Sequence, residues 1–206
     1  MNKSKMDERP DFPVSKLEDW IIINTLAPII LNHVRGCIVE IGAGFSTKMF
    51  AKIAADAGVN FYSCDTNADK LTTIKKEVER EVSVENSKIA FFGLPSISFM
   101  KRFESDINER PAIVFLDGCH AYHIVRVEAN YFLQKMLVGG VMFLHDTLSP
   151  KESYITAPFG LGEVYKVRQD LEKTENTDCF TWPYTAKGYG LTMVIKKELD
   201  RPYYRE

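Results

Sequence analysis

Short apolar runs alternate along the chain with longer amphipathic stretches. Five runs are almost continuously apolar and rich in branched or aromatic side chains, which is typical of strands buried on both faces of a sheet. These runs are Cys37–Ile41, Asn60–Cys64, Ile89–Phe92, Ala112–Leu116 and Val141–Leu144. The apolar spacing between them predicts helices over Thr47–Ala57, Ala68–Val82, Ser96–Ile107 and Ile124–Met136. Strands and helices in alternation predict an α/β fold, a parallel sheet with helices on both faces.

The two ends of the chain depart from this alternation. Leu17–His33 has helical spacing and predicts a leading helix that Pro28 kinks or divides. After a loop over Leu148–Gly162, Glu163–Lys173 predicts another helix. The connection between the last two predicted strands is so short that they must pair antiparallel. Those strands are Cys179–Tyr184 and Tyr189–Ile195.

The length of 206 residues and the composition predict one globular domain. Its predicted parts are a leading helical segment (1–35), a ligand-binding core (36–147) and a C-terminal loop, helix and strand pair (148–206). Apolar residues make up 45% and charged residues 26%, which excludes a disordered chain or a disulfide scaffold. The four cysteines form no C-x-x-C pair, so we expect reduced thiols and no zinc site.

Charge and hydropathy limit the partners and the location. The formal net charge is −2, which gives no general attraction for nucleic acid or an anionic membrane. No stretch reaches the roughly 20 apolar residues that a bilayer needs, and the first thirteen residues lack the apolar segment of a secretory signal. We therefore expect a cytoplasmic protein without a nucleic-acid or membrane partner. A homodimer is left open.

Two glycines, Gly42 and Gly44, directly follow the first predicted strand and precede a helix. Glycines there let the backbone turn sharply and approach a ligand closely. A dinucleotide fingerprint would require a third glycine at the position of Thr47. Asp65 ends the second strand about twenty residues beyond the glycines, where an acid can accept hydrogen bonds from ribose hydroxyls. With Glu40 before the turn, this pattern favours a nucleoside sulfonium over NAD, and a tight turn without a ligand is the plain alternative.

Four motifs at the strand ends carry a family resemblance. They are E-I-G-A-G-F-S-T after the first strand, C-D after the second, L-D-G-C-H-A-Y after the fourth and G-G-V-M-F-L-H-D-T at the fifth. Together they resemble class I S-adenosylmethionine-dependent methyltransferases, most closely the branch of small-molecule O-methyltransferases and cephalosporin hydroxylase-like proteins. The resemblance runs from about Gly36 to Lys196. It implies a Rossmann-like fold, a mostly parallel seven-stranded sheet with an antiparallel last strand.

The same resemblance implies a cofactor site for S-adenosylmethionine. Glu40 and the two glycines would line the methionine end, and Asp65 would hold the ribose. Many members carry an acid near the adenine after the third strand, but this chain has Gly93-Leu94-Pro95-Ser96 there. Adenine recognition is therefore assigned to Ser96, backbone groups or apolar packing. The complete predicted set is Glu40, Gly42, Gly44, Ser46, Asp65, Ser96 and Asp117.

Acids and histidines at the fourth and fifth strand ends are the candidates for chemistry. Because parallel strands end at the same edge of a sheet, Asp117 and Asp146 should converge although 28 residues separate them. The two carboxylates could hold a cation such as Mg²⁺, with His145 or water completing its shell. Alternatively, His120 or His145 could accept a proton, with Asp146 beside them. The plain alternatives are that Asp117 caps the following helix and that Asp146 marks a turn.

The leading hypothesis is methyl transfer to a hydroxyl of a small molecule, a sugar or a secondary metabolite. A hydroxylase-like relative on the same fold and a non-catalytic cofactor-binding module are the alternatives, and an NAD oxidoreductase is the least favoured. The pocket for the acceptor is expected from the leading helix, the Leu148–Gly162 loop with Tyr154 and Phe159, and the final strand pair.

Overall fold

The computed structural model describes residues 19–83, 87–150, 162–183 and 189–198. These parts form seven strands: β1 (Cys37–Ile41), β2 (Phe61–Asp65), β3 (Ile89–Gly93), β4 (Pro111–Leu116), β5 (Val141–His145), β6 (Thr177–Trp182) and β7 (Leu191–Lys196). The α-helices are α1 (Asp19–His33), α2 (Phe45–Ala57), α3 (Ala68–Glu81), α4 (Ser96–Arg102), α5 (Tyr122–Lys135) and α6 (Val164–Leu171). A single π-helical turn, Phe103–Ile107, extends α4.

The seven strands form one sheet in the order β3-β2-β1-β4-β5-β7-β6. Neighbours from β3 through β5 pair parallel, whereas β7 runs antiparallel to both β5 and β6. The predicted mostly parallel sheet with an antiparallel last strand is therefore confirmed. The strand order changes side at β1, because β2 and β4 pair with opposite edges of β1. In such sheets the crevice at the carboxyl ends of these strands is the usual place for a ligand.

The central strands of the sheet are buried on both faces, which explains their continuous apolar runs. Successive side chains of a strand point to opposite faces, so Ile38 of β1 packs into one core and Val39 into the other. One core contains residues of α1, α2 and α3, and the other contains residues of α4, α5 and α6. Every residue of β1, β4 and β5 is buried. Side chains of these three strands can therefore reach a ligand only near the strand ends.

Several predicted boundaries move by one or two residues, and two differences are larger. Pro28 lies inside one continuous helix and does not divide it, because Ile23, Ala27 and Leu31 on the same helix are fully buried and hold it against the sheet. The predicted helix Ser96–Ile107 is two segments, since the α-helix ends at Arg102 and a π-helical turn follows.

The predicted connection Thr185–Gly188 and most of the Leu148–Gly162 loop, including Tyr154 and Phe159, lie outside the described residues. Among the described helices, none is both long and apolar enough to cross a membrane.

Candidate active site

A cavity of about 360 Å³ opens at the carboxyl ends of the parallel strands. Four of the predicted site residues line it together, each from a different element or loop. They are Gly42, Asp65, Ser96 and Asp117. The rest of the lining is Ile41, Cys64, Thr66, Lys70, Leu94, Gly118, Cys119 and Glu128. The convergence predicted from the strand ends thus produces a single pocket.

The turn after β1 requires glycine at position 42 but not at position 44. Gly42 has φ +94°, and a Cβ on it would lie 2.3 Å from the carbonyl oxygen of Asp117. Its amide donates a hydrogen bond to Cys64 (2.8 Å), and the Asp117 amide donates to Ile41 (2.9 Å). A Cβ on Gly44 would meet no atom of the described structure within 4 Å. With respect to the described residues, the space in front of Gly44 at the start of α2 is therefore open.

Glu40 and Ser46, both predicted to contact a cofactor, are buried beneath this turn. Glu40 is 0% exposed and Ser46 1% exposed. The Glu40 carboxylate accepts hydrogen bonds from the hydroxyls of Ser46 (2.5 Å), Thr47 (2.7 Å) and Ser63 (2.6 Å). Burial raises the pKa of Glu40 to about 7, although the three hydroxyls oppose that rise. Both side chains therefore brace the turn from below, and their contact with a cofactor stays a prediction.

Asp65 keeps its carboxylate at the cavity wall while two neighbours hold it in place. Its Oδ1 accepts a hydrogen bond from the Asn67 amide (2.8 Å), and its Oδ2 forms an ion pair with Lys70. The side chain is 10% exposed. A carboxylate has about four acceptor positions, so these contacts leave capacity for two ligand hydroxyls.

A buried imidazole lies between three carboxylates at the end of β5. His145 Nε2 contacts Asp19 Oδ2 at 2.9 Å, and Nδ1 lies 3.2 Å from Asp117 Oδ1 and 3.0 Å from Asp146 Oδ1. Trp20 stacks on the imidazole ring, with 5.7 Å between ring centroids and 13° between planes. The leading helix therefore reaches the strand end through two consecutive residues, Asp19 and Trp20.

These contacts set the charge of His145. Burial alone would lower its pKa, but the contacts with Asp117, Asp146 and Asp19 outweigh burial and raise it to about 12. Burial likewise opposes ionisation of Asp117, yet His120 and His145 hold its pKa at about 2. His145 is thus a cation at neutral pH, which argues against its predicted role as proton acceptor. Its charge instead balances part of the negative charge of the acids.

His120 occupies the open side of the same cluster. Its Nε2 lies 3.4 Å from Asp146 Oδ2 and 3.8 Å from Asp117 Oδ1, and its side chain is 38% exposed. The contact with Asp117 raises its pKa above the usual 6.5. The Glu163 amide donates to the His120 carbonyl (2.8 Å), which anchors the loop before α5. His120 is therefore the histidine that a ligand can reach.

The plain alternatives for the two aspartates have different outcomes. Helix α5 begins at Tyr122, with Ala121 at its cap position, so Asp117 is not a helix cap. Asp146 does lie in a turn, with φ +57°. A positive φ is uncommon outside glycine, and such residues cluster at functional sites. For Asp146, lying in a turn is therefore compatible with a functional role.

Asp117, His120 and Asp146 also meet the geometric requirement for a cation site. One potential ligand atom from each lies within 4.8 Å of the others. Two carboxylate oxygens and one imidazole nitrogen suit a cation that accepts nitrogen, such as Mn²⁺, better than Mg²⁺. The donor set therefore fits a divalent cation, with the predicted Mg²⁺ less favoured than Mn²⁺.

Three residues of this region were missed by sequence reasoning. Asp19 and Trp20 begin α1, where an acid before an apolar run is read as an ordinary helix start. Glu128 lies in the middle of α5 and is 1% exposed. The one indication in the sequence is that Glu128 has helical spacing from the apolar residues Val125 and Phe132, so that it interrupts the apolar face of its helix.

Comparison with known proteins places this site in context. A family model described as "Methyltransferase domain" matches residues 39–147, more than half of the chain. No curated protein sequence matches the chain. The structure is similar to an O-methyltransferase from Bacillus cereus in complex with S-adenosylhomocysteine, at 16% identity and a TM-score of 0.67 over 94% of this chain and 84% of that one.

Two further solved structures have the same fold. The O-methyltransferase TomG from Streptomyces achromogenes, involved in tomaymycin synthesis and in complex with S-adenosylmethionine, is 16% identical, with a TM-score of 0.66 over 87% of this chain and 79% of that one. The S-adenosylhomocysteine-bound Podospora anserina methyltransferase PaMTH1 is 14% identical, with a TM-score of 0.63 over 91% and 83% of the two chains. The Rossmann-like architecture predicted from the motifs is confirmed.

Proposed function

We propose that this chain, which belongs to the methyltransferase-domain family and is an S-adenosylmethionine-dependent methyltransferase, methylates an oxygen atom of a small molecule. One observation carries the proposal. A single pocket joins Asp65 at the end of β2 to Asp117 at the end of β4, and Asp117 belongs to the cluster with His120 and Asp146. A nucleoside site and a proton-accepting site are therefore adjacent.

The residues of the pocket fit the proposed cofactor. Asp65 offers acceptors for the ribose hydroxyls, and the open space before Gly44 accommodates the methionine portion near the start of α2. The acids near His145 carry more negative charge than that imidazolium neutralises, which favours a positively charged sulfonium close by. Support for the cofactor also comes from the Bacillus and Streptomyces structures, whose ligands are S-adenosylhomocysteine and S-adenosylmethionine.

We assign proton removal from the acceptor to His120. Bound S-adenosylmethionine supplies a methyl group attached to a positively charged sulfur. The acceptor oxygen bonds to the methyl carbon as the bond between that carbon and the sulfur breaks. The neutral imidazole of His120 takes the hydroxyl proton as the new carbon–oxygen bond forms. Asp146, 3.4 Å from Nε2, orients the ring and stabilises the imidazolium that results. Asp117, ionised at any pH near neutral, adds to that stabilisation.

A divalent cation is the second candidate for the same step. Asp117, His120 and Asp146 would hold it, and it would lower the pKa of a bound hydroxyl. In this second mechanism the cation, and not the imidazole of His120, would activate the hydroxyl. The two mechanisms therefore predict different responses to a chelator.

We predict that replacing Asp65 with alanine weakens binding of S-adenosylhomocysteine by roughly 1–3 kcal/mol, because the carboxylate accepts hydrogen bonds from the ribose. Isothermal titration calorimetry of the wild type and the variant measures this. Asp69→Ala, an exposed acid in the first turn of α3, is the matched control and should bind like the wild type. A wild type that gives no heat with this ligand, or that prefers NAD, would contradict the proposed function.

The two glycines of the turn should respond differently to alanine. Gly44→Ala is expected to unfold within about 0.5 kcal/mol of the wild type, because its Cβ enters open space, while binding of S-adenosylhomocysteine weakens about tenfold or more. Gly42→Ala should lose roughly 1–3 kcal/mol of stability from backbone strain alone. Urea unfolding and calorimetry separate the effects. Unchanged ligand affinity in Gly44→Ala would place the cofactor elsewhere.

The nature of the product separates the remaining alternatives. Only methyl transfer converts S-adenosylmethionine to S-adenosylhomocysteine, so a hydroxylase-like relative or a binding module would not release it. Mass spectrometry of incubations with a panel of sugars and phenols tests this directly. The acceptor class, the cytoplasmic location and the option of a homodimer remain predictions from the sequence.

A further inference from the structure

Glu128 is a buried acid that has no role in the proposed methyl transfer by His120, Asp117 and Asp146. It lies on α5, is 1% exposed and forms part of the cavity wall. Neither of its carboxyl oxygens has a hydrogen-bond partner of good geometry within the described parts of the chain. Buried polar groups without partners are costly and uncommon in folded proteins. A group of this kind that faces a cavity points to a ligand that supplies the missing hydrogen bonds.

The position of Glu128 identifies which part of a ligand it would meet. Burial, with Asp65 and Glu128 as neighbouring negative charges, raises the pKa of the Cys64 thiol to about 12, so Glu128 lies close to the end of β2. Leu94 and Ser96, after β3, line the same cavity. A base attached to a ribose at Asp65 would extend toward these residues. The acid expected after β3 is missing from the sequence, and Glu128 brings an acid to this end of the cavity from α5.

We propose that Glu128 recognises the adenine of the cofactor, with one carboxyl oxygen accepting a hydrogen bond from the 6-amino group and the other donating one to N1. The inference rests on the proposed function, because it assumes that S-adenosylmethionine occupies the cavity. The donor requires a protonated carboxyl group. Burial raises the pKa of Glu128 to about 7, with the Ser96 hydroxyl opposing part of that rise, so this form is available near neutral pH.

Two ligands and two variants test the proposal by calorimetry. The ligands are S-adenosylhomocysteine and its analogue with purine in place of adenine, which lacks the 6-amino group. The wild type should bind the analogue about tenfold more weakly, the usual effect of losing one strong hydrogen bond. Glu128→Gln keeps a donor and an acceptor and should retain this preference. Glu128→Met has neither and should bind both ligands within about twofold of each other, with S-adenosylhomocysteine about tenfold weaker than in the wild type.

Thermal unfolding without ligand distinguishes recognition from a structural role. Replacing a buried acid that lacks a hydrogen bond of good geometry by an apolar side chain should leave the melting temperature of Glu128→Met equal to or above that of the wild type. A lower melting temperature, together with an equal loss of affinity for both ligands, would overturn the proposal. So would an unchanged preference for adenine in Glu128→Met. A wild type that binds neither ligand would overturn the proposed function itself, whereas binding with an unchanged preference overturns only the role of Glu128.

Discussion

Replacing His120 with glutamine is expected to lower kcat by roughly 100- to 10,000-fold, the usual contribution of a positioned acid–base group. Glutamine keeps the hydrogen-bonding capacity of the ring but cannot accept a proton. The measurement is the release of S-adenosylhomocysteine with the best acceptor from a panel of sugars and phenols. His123→Gln is the matched control, because His123 is exposed on the first turn of α5 and should retain full activity.

The pH dependence and a chelator decide between the two roles of His120. A proton acceptor works in its neutral form, so kcat should rise with pH, with a midpoint above 6.5 because Asp117 raises the pKa of His120. Excess chelator should leave this rate unchanged. Loss of activity with chelator, and its return with Mn²⁺, would instead assign His120 to the metal shell. Full activity of His120→Gln with and without chelator would exclude both roles.

Replacing His145 with glutamine is expected to destabilise the fold by roughly 3–5 kcal/mol, the usual cost of leaving a buried charge without its partner. The imidazolium balances part of the negative charge of Asp19, Asp117 and Asp146, and His145 itself is only 7% exposed, so water screens these contacts weakly. Urea unfolding measures the loss. His33→Gln, at the exposed end of α1, is the control and should stay within about 0.5 kcal/mol of the wild type.

A double-mutant cycle and the pH dependence test the cause of this loss. Adding Asp19→Asn to His145→Gln removes one uncompensated acid, so the double variant should be less destabilised than the sum of the single changes. The contacts of His145 contribute fully to the free energy of unfolding below its unfolded pKa of 6.5, and this contribution is lost as the pH rises toward 12. Asp117 contributes above 3.8 and loses its share as pH falls toward 2.

The difference in free energy of unfolding between the wild type and His145→Gln should therefore be largest between about pH 4 and 6.5. It should shrink in more acidic solution. A difference that is the same at every pH would indicate lost packing against Trp20, and would contradict the electrostatic explanation.

The sequence by itself determined the sheet, the turn and the acids at the strand ends. Continuous apolar runs form strands buried on both faces, and parallel strands end at one edge, so local pattern suffices to bring Asp65 and Asp117 to one cavity. Gly42 was predictable as well, because a glycine directly after a strand and before a helix indicates a sharp turn, and its φ of +94° agrees with that prediction.

Only the tertiary structure decided what surrounds each of those acids. Asp19 and His145 are separated by 126 positions in the sequence, and nothing local to either residue indicates that α1 packs over the end of β5. That contact adds to those with Asp117 and Asp146 in raising the pKa of His145, which leaves His120 as the candidate proton acceptor. In the same way, Glu40 braces the turn because α2 folds back over it, and Glu128 reaches the cavity because α5 packs beside α4. Charge and protonation depend on neighbours distant in sequence, because the electrostatic free energy of a group is set by burial and by charges a few ångströms away.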